Sequence, residues 1–68
     1  MSYTKVNKKN LKYLYNSERG NLYFRSAGKK RPYEVLDGFS YEETYEAFCA
    51  GQIELIWIEG PSLGEVSL

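Results

Sequence analysis

The sequence predicts a small α+β domain, with an antiparallel sheet of three to four strands, one helix packed on a face, and the order β-β-(β)-α-β. Three observations predict it. Ser40 stands three residues before Glu43 at the head of an apolar stripe, the pattern of a helix start. Ile53–Glu59 is a short run dense in β-branched and aromatic side chains. Two aromatic runs, residues 11–16 and 21–26, flank a polar segment that ends in Gly20.

Taken in order, residues 1–10 show no apolar period and end in polar and basic side chains, so they are expected as a flexible basic arm. Residues 11–16 (LKYLYN) and 21–26 (NLYFRS) read as the two strands of a hairpin. Gly20 would supply the left-handed turn position that other residues resist. With Ser17 opposite Asn21, Tyr13, Tyr15, Tyr23 and Arg25 share one face, and Leu14, Leu22 and Phe24 the other; a one-residue slip exchanges the two. Residues 33–36 (YEVL) follow Pro32 as a short third strand, and Asp37-Gly38 turns the chain.

A helix is expected over residues 41–50. Tyr41, Thr44, Tyr45 and Phe48 recur at i, i+3, i+4 and i+7, Glu42 and Glu43 occupy the first turn, and Gly51 follows as the stop residue. In the run that follows, Ile53, Leu55 and Trp57 share one face and Ile56 and Ile58 the other, which marks an inner strand. Gly60-Pro61 ends it, and residues 61–68 form a tail, loose or adding a short edge strand. The whole is one domain over residues 11–60 with an arm and a tail.

A chain of 68 residues buries only about 60% of the surface that its unfolded form exposes. Its stability is expected to be a few kcal/mol. It has little room for a small-molecule pocket, which begins at roughly 300 Å³. Aromatics make up 16% of the residues, seven of them Tyr, a composition that disordered chains lack.

The zero net charge conceals a division. All nine bases fall within residues 1–31, where Glu18 is the one acid; the other eight acids fall within 32–68, where there is no base. The first part therefore carries +8 and the second −8. Such asymmetry raises the question of charged partners. The plainer expectation is that the halves neutralise each other across the fold.

The residues for catalysis are scarce. With no His, the usual general base and the commonest transition-metal ligand are missing. One cysteine, Cys49, cannot build a zinc site or a disulfide, and is expected as a small, half-buried or buried filler in a reducing compartment. Glu42, Glu43 and Glu46 read as a solvated acidic helix face, with no Ca²⁺-loop spacing around them. Gly28-Lys29-Lys30 lacks the spacing of a phosphate loop. No catalytic residue, cofactor or metal is expected. Residues 1–10 show no leader pattern and no segment reaches membrane-helix length, so a cytoplasmic protein with no membrane partner is expected.

Two constellations can bind. Tyr13, Tyr15, Tyr23 and Arg25 on the expected hairpin form a partner surface of the residue types found at interface hot spots. Lys8, Lys9, Lys12, Lys29, Lys30 and Arg31 lie near it in sequence as a basic patch. The leading expectation is a small non-enzymatic protein-interaction module: an inhibitor, adaptor or regulatory partner. The alternative is single-stranded RNA or DNA, bases stacking on the tyrosines and phosphates pairing with the basic patch. Self-association through the opposite charge blocks or through sheet edges is a third reading.

Overall fold

A five-stranded antiparallel sheet in the order β1-β4-β2-β3-β5 carries two helices on one face. The computed structural model describes residues 2–68. The strands are β1 (Thr4–Lys5), β2 (Gly20–Ser26), β3 (Tyr33–Val35), β4 (Ile53–Glu59) and β5 (Glu65–Val66). The helices are α1 (Leu11–Asn16) and α2 (Tyr41–Cys49). The α+β class and the antiparallel sheet agree with expectation; the strand number, the helix number and the order do not.

The main correction falls on residues 11–16, which form helix α1 rather than the first strand of a hairpin. Asn7 and Asn10 start the helix. The Asn7 side-chain oxygen accepts the backbone N–H of Lys9 and Asn10, and Asn10 returns the favour to the Asn7 N–H at 2.7 Å. This closed turn spends its backbone donors locally, which is how Asn opens helices. Leu11 and Leu14, one turn apart, are then both buried beneath it. Tyr-rich sequence favours strand only weakly; the burial of Leu11 and Leu14 decides the matter.

With no hairpin, β2 pairs with β4 instead. Seven residue pairs run from Gly20↔Glu59 to Ser26↔Ile53. Gly20 begins this strand without a positive φ, so it is not the turn residue expected. Its role is close approach: a Cβ there would collide with the Ile58 carbonyl and come within 2.7 Å of Trp57 Cζ2.

Helix α2 forms as its signals predict. The Ser40 hydroxyl accepts the Glu43 N–H and the Glu43 carboxylate accepts the Ser40 N–H, both at 3.1 Å. At the far end the Gln52 N–H reaches the Ala47 carbonyl and the Gly51 N–H reaches that of Phe48, with Gly51 at φ +73°. That pair of bonds is the glycine-dependent helix stop. Strand β4 also forms as expected, as an inner strand between β1 and β2.

The sheet has an apolar cluster on each face, because β2 and β4 alternate apolar side chains both ways. On the helical face Leu22 and Leu55 pack with Val6, Leu11 and Leu14. On the other, Tyr23, Ile56 and Ile58 pack with Tyr33 and Val66. To reach β5 from β4 the chain must pass β2 and β3, and it does so over this second face: the Leu63 N–H donates to the Tyr23 hydroxyl and the Val35 N–H to the Gly64 carbonyl. The crossing loop takes the place a second helix layer would fill.

Parts of both terminal stretches therefore enter the fold. Of the stretch expected as a loose arm, Thr4 and Lys5 pair with Trp57 and Ile56, and Val6 is buried; Met1 lies outside the described residues. Of the expected tail, Glu65 and Val66 pair with β3 as an edge strand. No described helix is long and apolar enough to cross a membrane.

Candidate functional site

The four residues expected to share one binding face are dispersed. Tyr23 is 0% exposed, at the centre of the second-face cluster. Tyr15 sits on α1 in the other layer, its ring edge-on to Tyr41 at 5.5 Å and its hydroxyl donating to the Phe39 carbonyl at 2.7 Å. It ties α1 to the loop before α2. Tyr13, also on α1, is 72% exposed and makes no such link. The reason is periodicity: Tyr13 and Tyr15, two residues apart in a helix, point to different sides of it rather than along one sheet face.

Arg25 is committed to the protein itself. Its guanidinium meets Glu54 through two bonds, Nε to Oε2 at 3.1 Å and Nη2 to Oε1 at 3.4 Å. The same guanidinium lies 4.5 Å from the centroid of the Tyr33 ring. The hydrogen bonds from Arg25 lower the Glu54 pKa from its ordinary value and raise that of Arg25. Burial raises the Tyr33 phenol. Among the described residues this is the one ion pair between the basic and acidic halves, and their other charged side chains are exposed.

The expected basic patch divides between two connections. Lys8 and Lys9 stand in the turn before α1 and Lys12 on its first turn, whereas Lys29, Lys30 and Arg31 occupy the loop from β2 to β3; all are exposed. Glu42, Glu43 and Glu46 are exposed on α2. Cys49, expected as a filler, is exposed as well. Among the described residues no three His, Cys, Asp or Glu side chains gather closely enough to hold a metal ion.

The structure adds an apolar groove on the helical face of the sheet. Helix α2 does not cover the whole helical face of the sheet. Beside it runs a groove of about 220 Å³, lined by Phe24, Leu36, Phe39, Thr44, Ala47 and Ile53, with Glu43 at its margin. Phe24 and Ile53 come from β2 and β4, and Thr44 and Ala47 from α2. Phe39 is 45% exposed and stands edge-on to Phe24 at 5.8 Å. Such a groove is smaller than an ordinary small-molecule pocket and suits one or two apolar side chains.

One signal for the groove is present in the sequence. Phe39 immediately precedes the Ser40 cap, where an apolar residue ordinarily packs on the fourth helical residue. That residue is Thr44, whose hydroxyl donates to the Ser40 carbonyl at 2.9 Å. The position of the usual apolar partner is thus taken by a polar residue, and the Phe39 ring stands edge-on to Phe24 of the sheet.

No protein-family model, curated protein or solved structure matches this chain.

Proposed function

We propose that this chain is a small non-enzymatic protein-interaction module, an inhibitor, adaptor or regulatory partner, that works in the cytoplasm. The observation that carries the reading is the apolar groove beside α2 with half-exposed Phe39 at its lip. Large exposed aromatics beside a concave apolar surface are the anatomy of interface hot spots. The surface expected from sequence is replaced in this reading. Of its members, Tyr13 alone stays free for a partner, while Tyr15, Tyr23 and Arg25 are held by internal bonds. An exposed thiol at Cys49 suits a reducing compartment.

Single-stranded nucleic acid is the second reading, favoured by the exposed loop Lys29-Lys30-Arg31. It has lost the stacking platform that Tyr15 and Tyr23 were to provide.

Affinity purification of the tagged protein from lysate of its own host, with and without nuclease, separates the two. The expected result is a stoichiometric protein that survives nuclease and is lost when Ala47→Leu fills the groove. Recovery of nucleic acid, with proteins released by nuclease, moves the function to the basic loop. A partner retained by Ala47→Leu removes the groove from the reading.

A further inference from the structure

The one charged residue among the described residues that line the groove is an acid, and three more acids stand near it. Glu43 borders it from α2, and Glu46 lies three residues further along the same helix. From the sheet side, Glu34 on β3 stands directly across from Phe24, one of the groove's lining residues. Glu65 on β5 stands directly across from Glu34, so two carboxylates oppose each other on the same sheet face. Like charges placed opposite in a sheet destabilise it. Arg25 and Arg31 share the adjoining hollow with Glu34 and Glu65, but Arg25 is paired with Glu54 and Arg31 forms no ion pair with either acid, the one ion pair among the described residues being that of Arg25. All four carboxylates are exposed.

We propose that the groove docks a basic protein segment, one that seats a single large apolar side chain such as Leu or Phe between Phe24, Phe39 and Ala47 and sets flanking Lys or Arg against Glu34, Glu65, Glu43 and Glu46. The inference rests on the interaction-module reading and adds the chemistry of the partner. The size of the groove limits the anchor to one or two side chains. The four carboxylates, none of them in an ion pair among the described residues, select the flanks. A cation between Glu34 and Glu65 relieves their mutual repulsion, so a basic segment gains there while an acidic one is repelled.

The test uses three fluorescein-labelled peptide pools on the full chain, each with a central Leu or Phe. One pool has Lys and Arg flanks, one Ser and Gln, one Glu and Asp. Binding is read by anisotropy and placed by amide shifts in ¹H–¹⁵N spectra. The expected result is that the basic pool binds tightest and shifts the amides of Phe24, Phe39 and Ala47. Ala47→Leu should weaken it by about tenfold or more, the loss of a hot-spot anchor. Glu34→Lys, an exposed substitution checked for fold by circular dichroism, should weaken the basic pool and spare the neutral one.

Neutral or acidic pools that fill the groove equally well overturn the basic partner and leave the interaction module standing. Groove amides that move with no pool overturn both. Basic peptides that shift other amides, or bind Glu34→Lys unchanged, overturn the assigned contacts. Groove amides that shift with protein concentration alone, with a dimer in sedimentation, make the occupant a second copy and overturn the proposal too.

Discussion

The Tyr23 hydroxyl accepts the backbone N–H of Leu63 at 3.0 Å, across a sequence separation of forty residues. This bond fixes the loop from β4 to β5 over the second face of the sheet, where no helix lies. Tyr23 supplies both the apolar body of that cluster and the polar tip that holds its cover. Tyr23→Phe keeps the ring and loses the acceptor, so it should cost about 1 kcal/mol. Tyr23→Ala should cost about 3–5 kcal/mol, most or all of what a domain of this size possesses. Urea unfolding followed by circular dichroism distinguishes them: Phe shifts the midpoint, and Ala leaves little folded baseline. A folded Tyr23→Ala protein with a normal midpoint would mean that the crossing loop does not depend on this side chain.

Gly20 and Gly28 make a matched pair. Gly28 has φ +77° and open space where a Cβ would stand; Gly20 has no positive φ and a blocked one. Gly28→Ala should lose about 1 kcal/mol through the left-handed backbone alone. Gly20→Ala must displace both the Ile58 carbonyl and the Trp57 ring, at the first pair of the β2–β4 ladder. Its cost should reach about 2–3 kcal/mol, the upper part of the range for overpacking. Midpoints from parallel urea titrations test the order, and equal losses would put Gly20 in the turn role that its place in sequence suggested.

Where local rules are self-sufficient, the sequence was readable. The Ser40–Glu43 box and the Gly51 stop need only neighbouring residues, and α2 and β4 stand where these and the apolar pattern put them. Residues 11–16 failed because the same letters satisfy two periods: Tyr13 and Tyr15 alternate as in a strand, while Leu11 and Leu14 recur as in a helix. Only the burial of the two leucines against Leu22 and Leu55 chooses between them. The site failed for a different reason. Its lining comes from β2, β4, α2 and the segment between β3 and α2, and apart from Phe39 before the Ser40 cap no single stretch carries a trace of their meeting. The binding face first expected depended on one hairpin and vanished with it.

Ser40 is the joint between Phe39 in the groove and the start of α2. Ser40→Ala removes the acceptor for the Glu43 N–H and should cost about 1 kcal/mol, while Ser40→Asp should keep nearly all of it. The loss should be local as well as global. Hydrogen exchange at the Glu43 and Thr44 amides should rise in the Ala variant before that of β4. Uniform acceleration across the chain would show instead that α2 does not open apart from the sheet.

The Glu54 carboxylate gives a pH dependence whose sign follows from its bond to Arg25. That bond lowers the folded-state pKa below the ordinary glutamate value of about 4.3. Above that value the unfolded and folded chains both carry the charge, and the pair contributes its full stabilisation. As pH falls from there through the lowered folded value, the folded state must take up a proton against the bond, and the contribution is lost. Glu54→Gln should therefore melt below the wild-type protein at pH 7, by a small margin because both side chains are partly exposed. The two melting curves should converge as pH falls below the ordinary glutamate range. Added salt at pH 7 should narrow the gap in the same direction. A gap that stays constant from pH 7 to pH 3 would mean that Gln loses packing or hydrogen bonding at this site, and that the charge on Glu54 contributes nothing.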